Sequence, residues 1–539
     1  MRFPRVLGMV FTCALTWLPS FSFGTPPPRR GVQWPEAFRQ RTRDVPAAFT
    51  TSRSFVQLTR RIQANRAALT RGIMTIDAAR AAGGIVVSGT KSIPVLTAKF
   101  NNTSADPFAV AELQKELFDG PWSTGTMKEY YQEISYGQLT VNGTVHPWKQ
   151  LASDDTFYEG GGGCNGLCPG AKVREFLQQT LDLNDTAINF AQHDNDGPDG
   201  APNSGDDDGY VDFAAFVHAE TGGECGTSNI WSHRWVYSGW GGGEYTTNDA
   251  RNGGGNIKVD DYVIMPALAC GGFNMIEIGV FAHEFGHAFG LPDLYDTDSG
   301  NGDSEGIGNW CLMAGGGWGG DGASPEKPSH MSAWAKYFLG WVSPTDVTAD
   351  VSSATIQDAA DNAEAYKVPI SATEYFLIEN RQKKKFDTNL TGSGLLIWHV
   401  NETVVNAGLA NNSVNADENN KGVDLEEADG QNHLDSAANR GDAGDPFPGS
   451  ANKRSFDNAS APASSGTIAV CSIGDSGPSM TANLLVSSGR CGSTTDDCAG
   501  SLGGSGARNT RQAALLLLLP VAVALFWVAF DRKKVAVGI

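Results

Sequence analysis

The sequence predicts a mixed α/β body, of the α+β kind, followed by a β-rich domain. Three observations support this. From about residue 91, apolar runs that alternate with period two are interspersed with runs at helical spacing. After residue 345 the helical runs give way to short alternating strands between polar loops. At 539 residues the chain is also long enough to bury two or three full cores.

Residues 1–24 read as a secretory signal. Arg2 and Arg5 supply the positive start, Val6 to Leu18 the apolar core, and Ser22-Phe23-Gly24 a cutting point. That core is too short to span a membrane. Residues 25–90 form a basic leader with eleven arginines and three acids, a net +8, whereas residues 91–539 carry about −30. Opposite charge predicts a pro-segment docked partly by electrostatics, with Ala64 to Ala82 as a helix. The leader has no cysteine, so it would inhibit by occluding a cleft or through an oxygen or nitrogen ligand. The overall charge of −20 argues against nucleic acid as a partner.

Residues 91–345 form the first domain. Ser92 to Phe100, Gln138 to Val145 and Val211 to Ala219 read as strands, and Ala109 to Phe118 and Met127 to Ile134 as helices. Cys13 leaves with the signal, and an even set of eight cysteines in an exported chain predicts disulfides. Cys164 with Cys168 and Cys491 with Cys498 are the short loops, and Cys225 with Cys270 a longer pairing. His218 and His233 read as structural histidines.

The chemistry concentrates in His283-Glu284-Phe285-Gly286-His287-Ala288-Phe289-Gly290-Leu291-Pro292-Asp293. Ile278, Phe281, Ala282 and Phe285 recur at helical spacing, so His283 and His287 lie one turn apart on one face and can grip one ion. Gly290 suits a left-handed turn that ends the helix, and Pro292 forbids its continuation, which swings Asp293 back as third ligand. Two imidazoles and a carboxylate suit zinc, with a fourth position open for water. Glu284 is then the general base. An anionic third ligand leaves less positive charge on the metal than a third histidine, which makes that base more important.

Twenty residues on, Asn309-Trp310-Cys311-Leu312-Met313-Ala314-Gly315 offers a methionine ahead of a glycine run, and metzincins place such a Met-turn beneath their zinc. The pattern H-E-x-x-H-x-x-G-x-x-D with Met313 resembles the immune inhibitor A-like family of secreted metallopeptidases. Further stretches are similar to that family: Glu129-Tyr130-Tyr131 through Ser135-Tyr136-Gly137-Gln138, Ile230-Trp231-Ser232-His233, Gly340-Trp341-Val342 and Gly394-Leu395-Leu396-Ile397-Trp398-His399. The resemblance covers roughly residues 90–485. It implies a metzincin-like zinc endopeptidase acting on extracellular proteins. Three rivals stand beside it. One is a gluzincin-type site using Glu305 or Glu326 as third ligand; another is a hydrolase of non-protein amides; the last is a surface adhesin whose metal is only structural.

Two acidic clusters predict calcium. Asp194, Asp196, Asp206, Asp208 and Asp212 belong to a run of seven carboxylates within nineteen residues, spaced like half of an EF-hand loop. Asp296, Asp298 and Asp303 follow the zinc motif directly. Residues 346–485 form the β-rich companion, with strands at Thr355 to Gln357, Ala365 to Val368, Glu374 to Ile378 and Gly394 to Val400. Residues 486–512 read as a flexible linker. In 513–539, the apolar run Ala513 to Phe530 ahead of Asp531-Arg532-Lys533-Lys534 reads as a membrane-spanning or sorting tail. The product would be secreted or held at the cell surface.

Overall fold

The computed structural model describes residues 24–28, scattered positions between 61 and 78, and 86–492 apart from Pro198, Ser299, Gly302 and Asp303. The signal up to Phe23, most of the leader, and the tail from residue 493 lie outside the described residues. The described positions from 61 to 69 are helical, but Arg71 to Met74 form a turn, so the helix expected from Ala64 to Ala82 is interrupted there.

Strand β1 (Gly89–Lys99) is buried on both faces from Ile93 to Ala98, the signature of a central strand covered on two sides. It pairs in parallel with β2 (Leu139–Gln150) and with β3 (Ala214–Thr221). Beyond β3, the antiparallel edge strand β4 (His233–Val236) is reached through β7. The strands β5 (Tyr245–Ala250) and β6 (Asn256–Val259) pair separately, and β7 (Asp261–Leu268) completes the sheet in the order β2-β1-β3-β7-β4.

Because strand residues alternate faces, Val95, Val217 and Met265 join one core, and Leu96, Phe216 and Ile264 the opposite one. Helix α1 (Val110–Gln114) runs into a π-turn at Lys115–Asp119, so the expected α-helix to Phe118 is underwound in its second half. Helix α2 (Met127–Ile134) starts at a capping box in which Thr126 and Glu129 satisfy each other's backbone donors. Next come α3 (Asp155–Glu159) and α4 (Val173–Asp182), whose Phe176 and Leu177 cover the second face. Helix α5 (Ile278–Ala288) covers the first face, with Phe285 edge-on to Phe213 at 5.0 Å.

The later part of the chain is β-rich, as expected. After α6 (Ala333–Leu339) come β8 (Thr345–Asp346), β9 (Val351–Gln357), β10 (Tyr366–Pro369), β11 (Glu374–Arg381) and β12 (Gly394–Asn401). Helix α7 (Glu402–Gly408), β13 (Val423–Leu425), β14 (Phe447–Pro448), β15 (Ala469–Cys471) and β16 (Ser479–Leu485) follow. One sheet runs β13-β12-β11-β10-β8 with β14 on β12, and a second runs β15-β16-β9. Phe376, Ile378 and Ile397 face Ile356, Val470 and Met480 in a core between these sheets. On the other face of the same strands, Leu377 and Trp398 join the core that contains Phe285 and Trp334. The β-rich region therefore shares a core with the helix bearing the histidines.

Disulfides join Cys164 to Cys168 and Cys225 to Cys270, as expected. The expected Cys491–Cys498 loop is overturned: Cys491 pairs with Cys471. The chain returns past the end of β15 after β16, so the fold brings these two within reach across twenty residues of sequence. Cys311 is buried with a free thiol. Among the described residues no helix is long and apolar enough to cross a membrane.

Candidate metal centre

Every residue of α5 is buried. The helix ends in a Schellman arrangement: Gly290 N donates to His287 O and Leu291 N to Gly286 O, with Gly290 at φ +99°. The turn sends the chain back so that Asp293 faces the two histidines. Each imidazole donates from Nδ1 to a carbonyl, His283 to Leu312 O at 2.8 Å and His287 to Leu291 O at 2.9 Å. Since a carbonyl can only accept, both rings carry their proton on Nδ1 and present Nε2 as the ligating atom. Asp293 Oδ1 lies 3.1 Å from both Nε2 atoms.

These separations fit zinc. Ligand bonds of about 2.0–2.1 Å at tetrahedral angles set neighbouring donor atoms roughly 3.3 Å apart. His287 Nε2 is also a buried atom with no hydrogen-bond partner, which a ligand bond would satisfy. Burial alone would push the His287 imidazole down, but the Asp293 carboxylate outweighs it and raises the ring to about 9. Burial likewise opposes ionisation of Asp293, yet His287 and His283 hold its carboxyl well below the usual range. Asp293 is fixed on its other side by Asn412: its backbone N donates to Asn412 Oδ1 and its Oδ2 accepts from Asn412 Nδ2, both at 2.6 Å.

Glu284 and Met313 flank this triplet. Burial raises the Glu284 carboxyl, while His283 and His287 pull it down. Its Oε2 has no partner. Met313 runs under α5: a Cβ on Gly286 would lie 2.3 Å from Met313 Sδ, so only glycine lets the sulfur pass. Met313 O accepts from Leu294 N, and the Met313 segment also supplies the Leu312 carbonyl that orients His283.

The immune inhibitor A peptidase M6 catalytic domain matches residues 109–342. Over those residues the chain is similar to the immune inhibitor A-like family of metallopeptidases. It is 34% identical over 230 residues to "Immune inhibitor A" of Bacillus thuringiensis subsp. alesti, covering 40% of this chain and 31% of that one. It is 30% identical over 262 residues to "Pre-pro-metalloprotease PrtV" of Vibrio cholerae serotype O1, covering 45% of this chain and 27% of that one. The chain thus spans under a third of the length of these curated family relatives.

The cleft beside Glu284 holds the chain's own residues 24–28. Thr25 donates from N and Oγ1 to Glu284 Oε1, at 2.8 and 2.7 Å. Each carbonyl from Gly24 to Pro27 accepts from a side chain: Tyr295 OH to Gly24, Trp231 Nε1 to Thr25, Trp318 Nε1 to Pro26 and Arg440 Nη1 to Pro27. A cavity of about 420 Å³ opens beside Pro28, walled by Val280, Trp318 and the Cys225–Cys270 disulfide.

The structure gathers the other predicted residues only in part. Asp194, Asp196 and Asp208 converge, with oxygens within 4.8 Å of one another, and both Asp194 oxygens are buried without a partner. Asp206 and Asp212 are outside that group. Asp206 accepts from Asp199 N and Ser204 Oγ, and Asp212 from Asn195 N and Lys91 Nζ. Asp296 and Asp298 form no such group among the described residues and cap local turns instead; Asp303 lies outside the described residues. Glu305, a rival third ligand, is paired with Arg440, and neither it nor Glu326 joins the two histidines. His233 is structural, bonded to Trp231 O and Tyr262 OH. Asn412 and Arg440 escaped the sequence reading because each sits in a polar loop more than a hundred residues from the motif it serves.

Proposed function

We propose that this chain is a zinc-dependent endopeptidase that hydrolyses extracellular proteins and is made with an inhibitory leader. The observation that carries the reading is the approach of Asp293 Oδ1 to within 3.1 Å of both His283 Nε2 and His287 Nε2, with the Glu284 carboxylate alongside. Zinc, when bound, supplies Lewis-acid polarisation of water and of the scissile carbonyl. Glu284 accepts the proton of the attacking water and delivers it to the leaving amine, and its raised affinity for protons suits both tasks. The helix fixes the spacing of the histidines, Asn412 aims Asp293, and Met313 fills the floor beneath them.

The leader at residues 24–28 acts as a latch, its backbone donors and carbonyls engaging the same groups that a substrate strand would use. Calcium at Asp194, Asp196 and Asp208 would neutralise three converging carboxylates in the loop before β3. Three disulfides and the signal-like start support export, since such bonds persist in oxidising compartments. The test is metal analysis and casein cleavage by the processed enzyme. Glu284→Gln should keep its zinc and lose roughly 10²–10⁴-fold in turnover; Asp293→Ala should lose both. A Glu284→Gln protein as active as the parent would overturn the reading.

A further inference from the structure

Three carboxylates gather at a second place, in the loop between β13 and β14. Oxygens of Glu427, Asp429 and Asp445 lie within 4.8 Å of one another. Glu427 is 4% exposed and Asp445 is completely buried. The groups that bond them are neutral. Glu427 accepts from the backbone N of Leu434 and His433, Asp429 from Gln431, and Asp445 Oδ2 from Trp310 Nε1 and Asp442 N. Asp445 Oδ1 has no partner at all. Among the described residues no lysine or arginine forms an ion pair with any of the three. The neighbouring His433 is turned to Asp442 at 3.2 Å.

Like charges this close, out of water, are tolerated only when protonated or when a cation joins them. Burial, reinforced by Glu427 and Asp442, lifts the Asp445 carboxyl to about 7. An all-oxygen donor set of several carboxylates suits a hard divalent ion of calcium's size. Gly444 is shaped for the cluster as well: a Cβ there would lie 2.2 Å from Asp429 Oδ2, so any larger residue would drive that carboxylate away.

We propose that Glu427, Asp429 and Asp445 bind one calcium ion that closes the base of the 426–445 loop. The two ends of that loop already meet through Ala428 N and Asp445 O at 2.9 Å. What the loop carries gives the site its consequence. Leu434 O and Arg440 O accept from Glu305 N and Asn309 N, Asp445 holds the Trp310 indole, and Arg440 reaches Pro27 in the cleft. The ion would therefore steady one wall of the cleft and the segment that leads into Met313. The claim of binding does not depend on the enzymatic reading, because it is read from the ion and not from cleavage.

The experiment is equilibrium dialysis of the full chain, zinc-loaded, against radioactive calcium. It is paired with a terbium titration in which indole excitation drives lanthanide emission. Glu427→Gln and Asp429→Asn should each weaken one calcium equivalent by on the order of tenfold or more, while Asp196→Asn leaves that equivalent untouched. Trp310→Phe should abolish the sensitised terbium emission of this site without changing the number of calcium ions bound. Asp429 is only half-buried, so its variant tests the site even if Glu427→Gln fails to fold. Unchanged calcium binding in folded Asp429→Asn, or terbium emission independent of Trp310, would overturn the proposal.

Discussion

At the scale of single residues, the two groups with most to say are both outside the zinc motif. Asn412 clasps Asp293 from the backbone and the side chain at once, from a left-handed position at φ 54°. Partners that orient a metal ligand in this way typically contribute 10–100-fold to metal affinity. Asn412→Ala should accordingly retain the fold and lose zinc to a competing chelator at concentrations about 10–100-fold lower. Glu116 is the second. It is 1% exposed, and neither oxygen has a donor in reach unless a proton is shared with Glu277, next to the start of α5. Burial first, and then the Glu277 charge, pushes its carboxyl up to about 10. The folded state therefore holds this proton from about pH 4.5 to about 10, whereas the unfolded chain releases it near the lower limit. Stability must fall as pH rises through that window. Glu116→Gln, which cannot ionise, should melt higher than the parent at pH 8 by on the order of 1–3 kcal/mol, with the advantage vanishing toward pH 4.

At the scale of elements, α5 and its ending are where sequence and structure agree most closely, because each step follows from local rules. Apolar spacing makes the helix, Gly290 ends it with two carbonyls satisfied, and Pro292 prevents it from resuming. Gly290→Ala would force φ +99° on a residue with a Cβ, at a cost of about 1–2 kcal/mol. Because the same turn aims Asp293, the variant should also bind zinc less tightly, visible as a lower melting temperature together with metal loss on dialysis. The second half of the α1 region was not legible. Glu116, Leu117 and Phe118 all turn inward over a π-turn, and a periodicity of 3.6 cannot register an underwound helix. The Cys471–Cys491 pairing was hidden for a similar reason. Nearness in sequence favoured Cys498, while antiparallel pairing of β15 with β16 decides which sulfurs meet.

At the scale of the whole molecule, the β-rich region and the helix with the histidines share a core. Leu377 and Trp398 pack into the same cluster as Phe281 and Phe285, so a fault in one sheet is felt along the helix that carries His283 and His287. Charge acts at this scale too. Residues 25–90 carry +8 against about −30 on residues 91–539, and Arg440 binds the Pro27 carbonyl in the cleft. If the leader is held partly by long-range attraction, salt should loosen it: at 1 M the Debye length shrinks to about 3 Å. The expected outcome is faster trimming of the leader by an added protease at 1 M than at 0.1 M salt, with Arg440→Ala trimmed faster at both. Equal rates under all conditions would leave docking to the short-range contacts alone.

The amino-acid order alone brought His283, Glu284, His287 and Asp293 into one motif with Met313 close behind it. Those parts depend on helical spacing, one glycine and one proline, all within thirty-one residues. Packing alone decided that Asn412 reaches Asp293, that Arg440 and residues 24–28 meet in the cleft, and that Glu427, Asp429 and Asp445 share one buried corner. Such contacts join loops that no periodicity links. They exist only once two sheets and a helix have closed around a common interior and excluded water from the carboxylates within it.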